Sequence, residues 1–318
     1  MKNNKMNVLD NNVMMEIRGL SKEFSRNGER LQALLEIDLD VVEGEFLCLV
    51  GPSGCGKTTF LRIVQGLIEK SAGSIELYGK PITQPSADRG FVFQQDNLYP
   101  WRTVIANARL GLELAGMGTD QANARANEML KLVGLEGFEQ SYPRELSGGM
   151  RQRVMIAMAL SCQPSVLIAD EPTTALDVTI QAQIFDLLRQ IQREMKTSVI
   201  LITHDMSVIA EFADRVVVMY AGRKVEEGLV RDIIDNSRHP YTKGLINCVP
   251  FLKKDPGTER VELNEIPGVV PNMAQLGSGC SFAPRCDYVT DQCYEKTPPE
   301  VQVGKSHYAY CWHIEEDT

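Results

Sequence analysis

The stretch Gly51-Pro-Ser-Gly-Cys-Gly-Lys-Thr-Thr59 constrains this chain more than any other. It fits the phosphate-binding pattern G-x-x-x-x-G-K-[ST], with Gly51, Gly56, Lys57 and Thr58 in the fixed places. Phe46-Leu-Cys-Leu-Val50 ahead of it is apolar and β-prone, and Thr59-Phe-Leu-Arg-Ile-Val64 behind it reads as a helix. Glycines let such a loop curl until successive backbone N–H groups converge on phosphate oxygens, and the helix N-terminus adds the positive end of its dipole. Gly51, Ser53, Gly54, Cys55, Gly56, Lys57, Thr58 and Thr59 are therefore the candidate phosphate-binding set. Lys57 supplies a point charge to the β- and γ-phosphates, and the Thr58 hydroxyl can ligate Mg²⁺. The competing reading is a chance glycine-rich turn, and the rest of the chain weighs between the two.

Val13–Arg18, Leu34–Val42, Ser74–Tyr78 and Gly90–Phe93 read as strands, so the N-terminal part is β-rich. Phe24 falls in a polar loop between the first two, where a lone aromatic is usually a core or turn residue. From Thr103 to Leu160 the pattern turns helical, with helices over Thr103–Leu114 and Asp120–Val133 and a third capped by Ser147. Gly148 and Gly149 at that helix start are costly unless backbone must approach something closely. Ser165-Val-Leu-Ile-Ala-Asp-Glu-Pro172 is an apolar strand ending in two carboxylates. A helix over Val178–Met195, a strand Ser198–Thr203 ending at His204, and a strand Asp214–Tyr220 follow. Strands alternating with helices after a phosphate loop predict an α/β fold with a mainly parallel sheet, which binds ligands at the carboxyl ends of its strands. Residues 250–318, rich in Pro, Gly and Cys, read as a small irregular appendage.

The strand-end residues supply what phosphoryl transfer to water needs. Asp170 is placed to hold Mg²⁺, Glu171 to act as general base, and His204 to hydrogen-bond the γ-phosphate or the water. A composition of 43% hydrophobic and 24% charged residues is that of an ordinary globular protein. No apolar run approaches the ~20 residues of a membrane span, and the polar first ten residues lack the apolar core of a signal peptide. The cytoplasm is the expected compartment. A net charge of −9 argues against a nucleic-acid partner.

Together these residues resemble the ATP-binding subunit of ABC transporters. The matching parts are Walker A at Gly51–Thr58, Leu146-Ser-Gly-Gly-Met150 as a variant of the LSGGQ signature, and Walker B at Val166–Asp170 with Glu171. Thr174-Ala-Leu-Asp177 matches the D-loop and His204 the switch histidine; the resemblance covers residues 13 to about 240. It implies ATP and Mg²⁺ as ligands and a P-loop core with an inserted helical subdomain over about 103–160. Gln94, with Gln95 adjacent, matches the Q-loop glutamine that meets Mg²⁺, and Phe24 the aromatic that stacks on adenine. It also implies a head-to-tail dimer in which Ser147, Gly148 and Gly149 of one subunit, with Asp177 of the D-loop, help close a site whose ATP sits on the other's Walker A. The rival class, DNA-repair and ribosome-bound ABC ATPases, splits the Walker motifs with a coiled coil or doubles the core. This chain has one core and no heptad run.

His239-Pro-Tyr-Thr-Lys-Gly-Leu245, Ile266-Pro-Gly-Val-Val-Pro271 and Gly279-Cys-Ser-Phe-Ala-Pro-Arg-Cys286 resemble the C-terminal extension of oligopeptide/dipeptide, and nickel, importer ATPases. The expected division is a flexible tail over 1–12, an ATPase domain over 13–240 and the extension over 241–318. The expected partners are a second ATPase, homologous or a copy, two permeases and an extracytoplasmic solute-binding protein, at the cytoplasmic face of the membrane. One segment departs from the pattern: Phe93–Thr103 looks more like importers of taurine, sulfonate or nitrate. Its Tyr99, Pro100 and Trp101 are candidates for permease contact or for a local apolar turn. Cys280, Cys286, Cys293 and Cys311 are separated by 5, 6 and 17 residues, and this spacing leaves iron–sulfur cluster, zinc and free thiols open. The resemblance implies a [4Fe–4S] cluster, with Zn²⁺ as the alternative, in a structural role.

Overall fold

A computed structural model describes residues 12–26, 29–174, 176–248, 266–271 and 277–314. Strands β1 (Val13–Arg26) and β2 (Glu29–Val42) pair antiparallel. β3 (Phe46–Val50) then feeds the phosphate loop and helix α1 (Lys57–Gln65). β4 (Ala72–Leu77) and β5 (Lys80–Pro81) join β1 and β2 in a sheet ordered β2-β1-β4-β5. Phe24 therefore belongs to β1, paired with Leu31, and not to a loop as its polar neighbours suggested. Register shifts along β1 interrupt the period-2 pattern, which is why only its first half reads as strand from sequence.

β6 (Arg89–Val92) leads to the helical subdomain: α2 (Val104–Ala108), α3 (Leu110–Leu114), α4 (Thr119–Leu132) and α5 (Gly148–Leu160). The helix expected over Thr103–Leu114 is broken at Arg109. The Arg109 guanidinium bonds Glu113 and Asn123, tying the break to α4. The core resumes with β7 (Val166–Asp170), α6 (Val178–Met195), β8 (Ser198–Ile202), α7 (Met206–Phe212), β9 (Arg215–Tyr220) and β10 (Arg223–Leu229). Helices α8 (Val230–Asn236) and α9 (Pro240–Asn247) follow. The extension adds α10 (Asp291–Glu295) and a hairpin of β11 (Glu300–Gly304) and β12 (His307–Tyr310).

The second sheet runs β11-β12-β10-β9-β3-β8-β7-β6. β9, β3, β8, β7 and β6 are parallel, and every residue of β3, β7, β8 and β9 is buried. Both faces are covered, so these strands read as continuous apolar runs. Leu47, Leu49, Ile168, Ile200 and Ile202 face α1 and the antiparallel sheet; Cys48, Val50, Leu167, Val199 and Leu201 face the helices on the other side. β12 pairs with β10 through Glu226 and Glu227, so the extension lengthens the ATPase sheet itself. Its irregular composition did not announce this hairpin. Residues 1–11, Ala175 of the D-loop and 249–265 lie outside the described residues.

Candidate functional site

The phosphate loop leaves β3 and turns through left-handed backbone at Gly54 (φ 78°) and Gly56 (φ 105°) before α1 begins. A side chain at Gly56 would stand 2.5 Å from the Ala33 carbonyl oxygen, and one at Gly51 would run into the Met219 carbonyl of β9. The turn between β9 and β10 grips the loop from below: Gly222 N–H donates to Cys55 O at 2.9 Å, and Leu35 N–H donates to Gly222 O at 2.8 Å. Neither bond is legible in sequence, because β9 and β10 are far along the chain. Lys57 is buried, and its ammonium donates to Gly51 O at 2.7 Å and Pro52 O at 3.0 Å. No acidic side chain sits in the first turn of α1, so its positive end is left for an anion.

Asp170 closes β7 beside this loop, and Thr58 Oγ1 donates to its Oδ1 at 3.4 Å. Burial pushes the Asp170 carboxyl above the usual carboxylate range, against the Thr58 hydrogen bond that favours the charged form. A buried carboxylate beside a hydroxyl is the hard-oxygen pair that Mg²⁺ prefers, so these two side chains fit the ion. Glu171 follows with φ 45°, a conformation that costs a non-glycine residue about 1–3 kcal/mol. Its N–H donates to Ile202 O of β8 at 3.1 Å, which fixes the turn.

Three loops then converge on the Glu171 carboxylate. Gln94 Nε2, after β6, and Thr174 Oγ1 each stand 3.3 Å from Oε2, and His204 Nδ1, after β8, lies 3.8 Å from Oε1. Gln94, Glu171 and His204 are thus brought together, next to Thr58 and Asp170. Sequence reasoning missed Thr174 as a side chain; a threonine after Glu-Pro-Thr carries no signal until the turn is built.

The signature lies apart. Ser147 caps α5 by accepting from Met150 N–H at 3.3 Å, and Asp177 caps α6 by accepting from Ile180 N–H at 3.0 Å. Gly148 packs against Leu176, and a Cβ on Gly149 would meet Ile180 Cγ2 at 2.6 Å. Gly149 therefore has a reason inside its own chain, the close approach of the α5 and α6 starts. Among the described residues no hydrogen bond or ion pair joins Ser147, Gly148 or Gly149 to the phosphate loop. Phe24 is part-exposed on β1, with Lys22 Nζ 4.9 Å from its ring centroid.

Cys280, Cys286, Cys293 and Cys311, with His239 and His313, line one small cavity in the extension. Burial pushes the Cys280 thiol up to about 11 and raises Cys286 and Cys311, and the neighbouring thiols add to each. One zinc ion would need thiolates drawn to about 2.3 Å from a single point. Among the described residues no group of three or more His, Cys, Asp or Glu side chains is disposed to hold a metal ion, so this arrangement by itself supports neither the expected [4Fe–4S] cluster nor zinc.

The fold and the strand-end site define a P-loop ATPase of the cassette type. Residues 34–174 match the family described as ABC transporter, and residues 225–293 match the oligopeptide/dipeptide transporter C-terminal region. The chain is 42% identical to a putative peptide import ATP-binding protein of Brucella melitensis, across 95% of this chain and 98% of that one. It is 39% identical to the oligopeptide transport ATP-binding protein AppD of Bacillus subtilis, across 96% of this chain and 98% of that one. Among solved structures, the ATP-binding cassette MJ0796, dimeric in a post-hydrolysis state with ADP and Pi, is similar at TM-score 0.63 and 34% identity, covering 69% of this chain and 99% of that one. The chain belongs to the ABC transporter family of ATP-binding proteins, carries that family's oligopeptide/dipeptide C-terminal region, and is an ATPase. Among the described residues no helix is long and apolar enough to cross a membrane.

Proposed function

We propose that this chain hydrolyses ATP to power uptake of di- or oligopeptides through a membrane ABC importer. The observation that carries the ATPase mechanism is the gathering of Gln94 and His204 on the Glu171 carboxylate, beside the Thr58–Asp170 pair. Similarity to peptide import proteins along the whole chain, extension included, supports the peptide substrate.

In this reading ATP enters with its phosphates over α1, and the Lys57 ammonium exchanges the Gly51 and Pro52 carbonyls for β- and γ-phosphate oxygens. The backbone N–H groups from Ser53 to Thr59 complete the phosphate contacts, and Phe24 stacks on adenine. Thr58 and Asp170, with Gln94, would hold Mg²⁺, which would supply charge neutralisation at the phosphate oxygens. Glu171 accepts a proton from the attacking water as its oxygen bonds to the γ-phosphorus; the bond to the β–γ bridging oxygen breaks and ADP leaves. His204 donates a hydrogen bond to the γ-phosphate. Ser147, Gly148, Gly149 and Asp177 act across a head-to-tail dimer with a second ATPase subunit, a copy or a homologue. The dimer sits at the cytoplasmic face of the membrane on two permeases fed by a solute-binding protein, with the exposed Tyr99–Trp101 pair among the permease contacts.

Four cysteines lining one cavity, in an extension of the oligopeptide/dipeptide type, support a [4Fe–4S] cluster there, with Zn²⁺ as the alternative. Its role would be to staple the extension. Anaerobic purification with iron and sulfide assay tests this; a colourless protein with stoichiometric zinc overturns it.

Changing Glu171 to Gln keeps ATP binding and produces an ATP-dependent dimer by size-exclusion chromatography, with turnover lost. Full hydrolysis by that variant refutes the base assignment. Uptake of labelled peptides, Ni²⁺ or taurine by cells carrying the intact importer separates the peptide reading from its rivals.

A further inference from the structure

We infer that Thr174 is a positioning residue for ATP hydrolysis, its hydroxyl setting where the Glu171 carboxylate points; this deepens the reading of Glu171 as general base and rests on it. Glu171 occupies left-handed backbone and is followed by Pro172, so its main chain is held, but its side chain must be aimed by what touches it. Three groups do. His204 is 70% exposed at 3.8 Å, and Gln94 reaches in from an exposed loop. Both sit on loops with other work: Gln94 toward the ion, His204 toward the γ-phosphate. Thr174 differs in being built into the turn that carries Glu171. Its N–H donates to Glu171 O at 3.4 Å, closing the turn, and its hydroxyl lies 3.0 Å from Glu171 O and 3.3 Å from Oε2.

The turn is braced on both sides. Gln181 Nε2, from α6, donates to Thr173 O at 3.0 Å and to Leu176 O at 3.1 Å. Leu176 in turn packs on Gly148 of the signature. Thr174 is thus the carboxylate partner tied most directly to helical scaffold. One hydroxyl proton serves two acceptors, so the bond to the carboxylate and the bond to the carbonyl are shared or alternate. A side chain of the same shape without the hydroxyl removes the device and leaves the packing.

The test uses the full chain purified with its membrane subunits, MgATP as substrate, and the variants Thr174→Val, Thr174→Ser and Glu171→Gln. Thr174→Val is expected to lower kcat about ten- to hundredfold, the scale of a small misplacement of a catalytic group. KM for ATP and the melting temperature stay near wild type, and Thr174→Ser restores most of the rate. If Glu171→Gln is inactive while Thr174→Val turns over at the wild-type rate, Thr174 has no such role and the base assignment stands. A rise in KM with kcat unchanged, or no rescue by Ser, overturns it equally. If Glu171→Gln hydrolyses ATP normally, both assignments fall.

Discussion

Gly149 stands so close to α6 that a methyl group there would meet Ile180 Cγ2 at 2.6 Å. Gly149→Ala is expected to destabilise the chain by about 1–3 kcal/mol, the usual cost of overpacking, and to cost less in an Ile180→Ala background, which lacks Cγ2. Paired thermal melts check both. Asp170 carries the opposite cost. Burial disfavours its charged form, so Asp170→Asn is expected to raise the melting temperature of the chain without nucleotide while Mg²⁺-dependent turnover collapses. A lower melting temperature would mean that the carboxylate is a net stabiliser. At this scale the phosphate loop was legible because residues at four fixed positions are each demanded by local geometry. Thr174 was not, because a hydroxyl acquires an aim only once its turn is folded.

Among elements, the join between extension and core is where sequence said least. Phe282 packs on Tyr220 at 5.2 Å and Tyr241 at 5.5 Å between ring centroids, while the Arg285 guanidinium donates to Tyr220 Oη, Pro267 O and Ile266 O. Tyr220 ends β9, just before the turn whose Gly222 grips the phosphate loop. Phe282→Ala is expected to cost about 3–5 kcal/mol, read by chemical denaturation. His239 adds a pH dependence. Its Nδ1 accepts from Tyr241 N–H at 3.0 Å, and burial pushes its pKa down from 6.5 to about 4. The unfolded chain takes up this proton first, so the stability His239 confers is complete above pH 6.5 and is lost as pH falls toward 4. The loss is on the order of 3 kcal/mol. His239→Gln should flatten stability against pH in that window, and an unchanged slope would assign it to other groups. The break at Arg109, by contrast, escaped a helical pattern that continues through it, since it is tied to α4 by a bond to Asn123.

For the whole molecule, one eight-stranded sheet runs from β6 beside the helical subdomain to β11 in the extension. Ending the chain before β11 would bare β10 as a sheet edge and strip His307 from Glu226, which its Nε2 meets at 2.7 Å in a fully buried pair. A chain cut after residue 298 is expected to aggregate while the full chain stays dispersed, as light scattering would show, because an unpaired edge over a buried carboxylate recruits other chains. Sequence alone determined the phosphate loop, the apolar strands of the parallel sheet and the carboxylates at their ends, because each is specified by neighbours within a few residues. Tertiary structure alone decided the rest: the turn at Gly222 under the loop, Thr174 on Glu171, Gly149 on Ile180, and a cysteine-bearing tail stitched into the main sheet. Thr174 needs only its own turn folded, but the other contacts join segments tens to hundreds of residues apart, and no local pattern encodes which distant backbone will come to lie within reach.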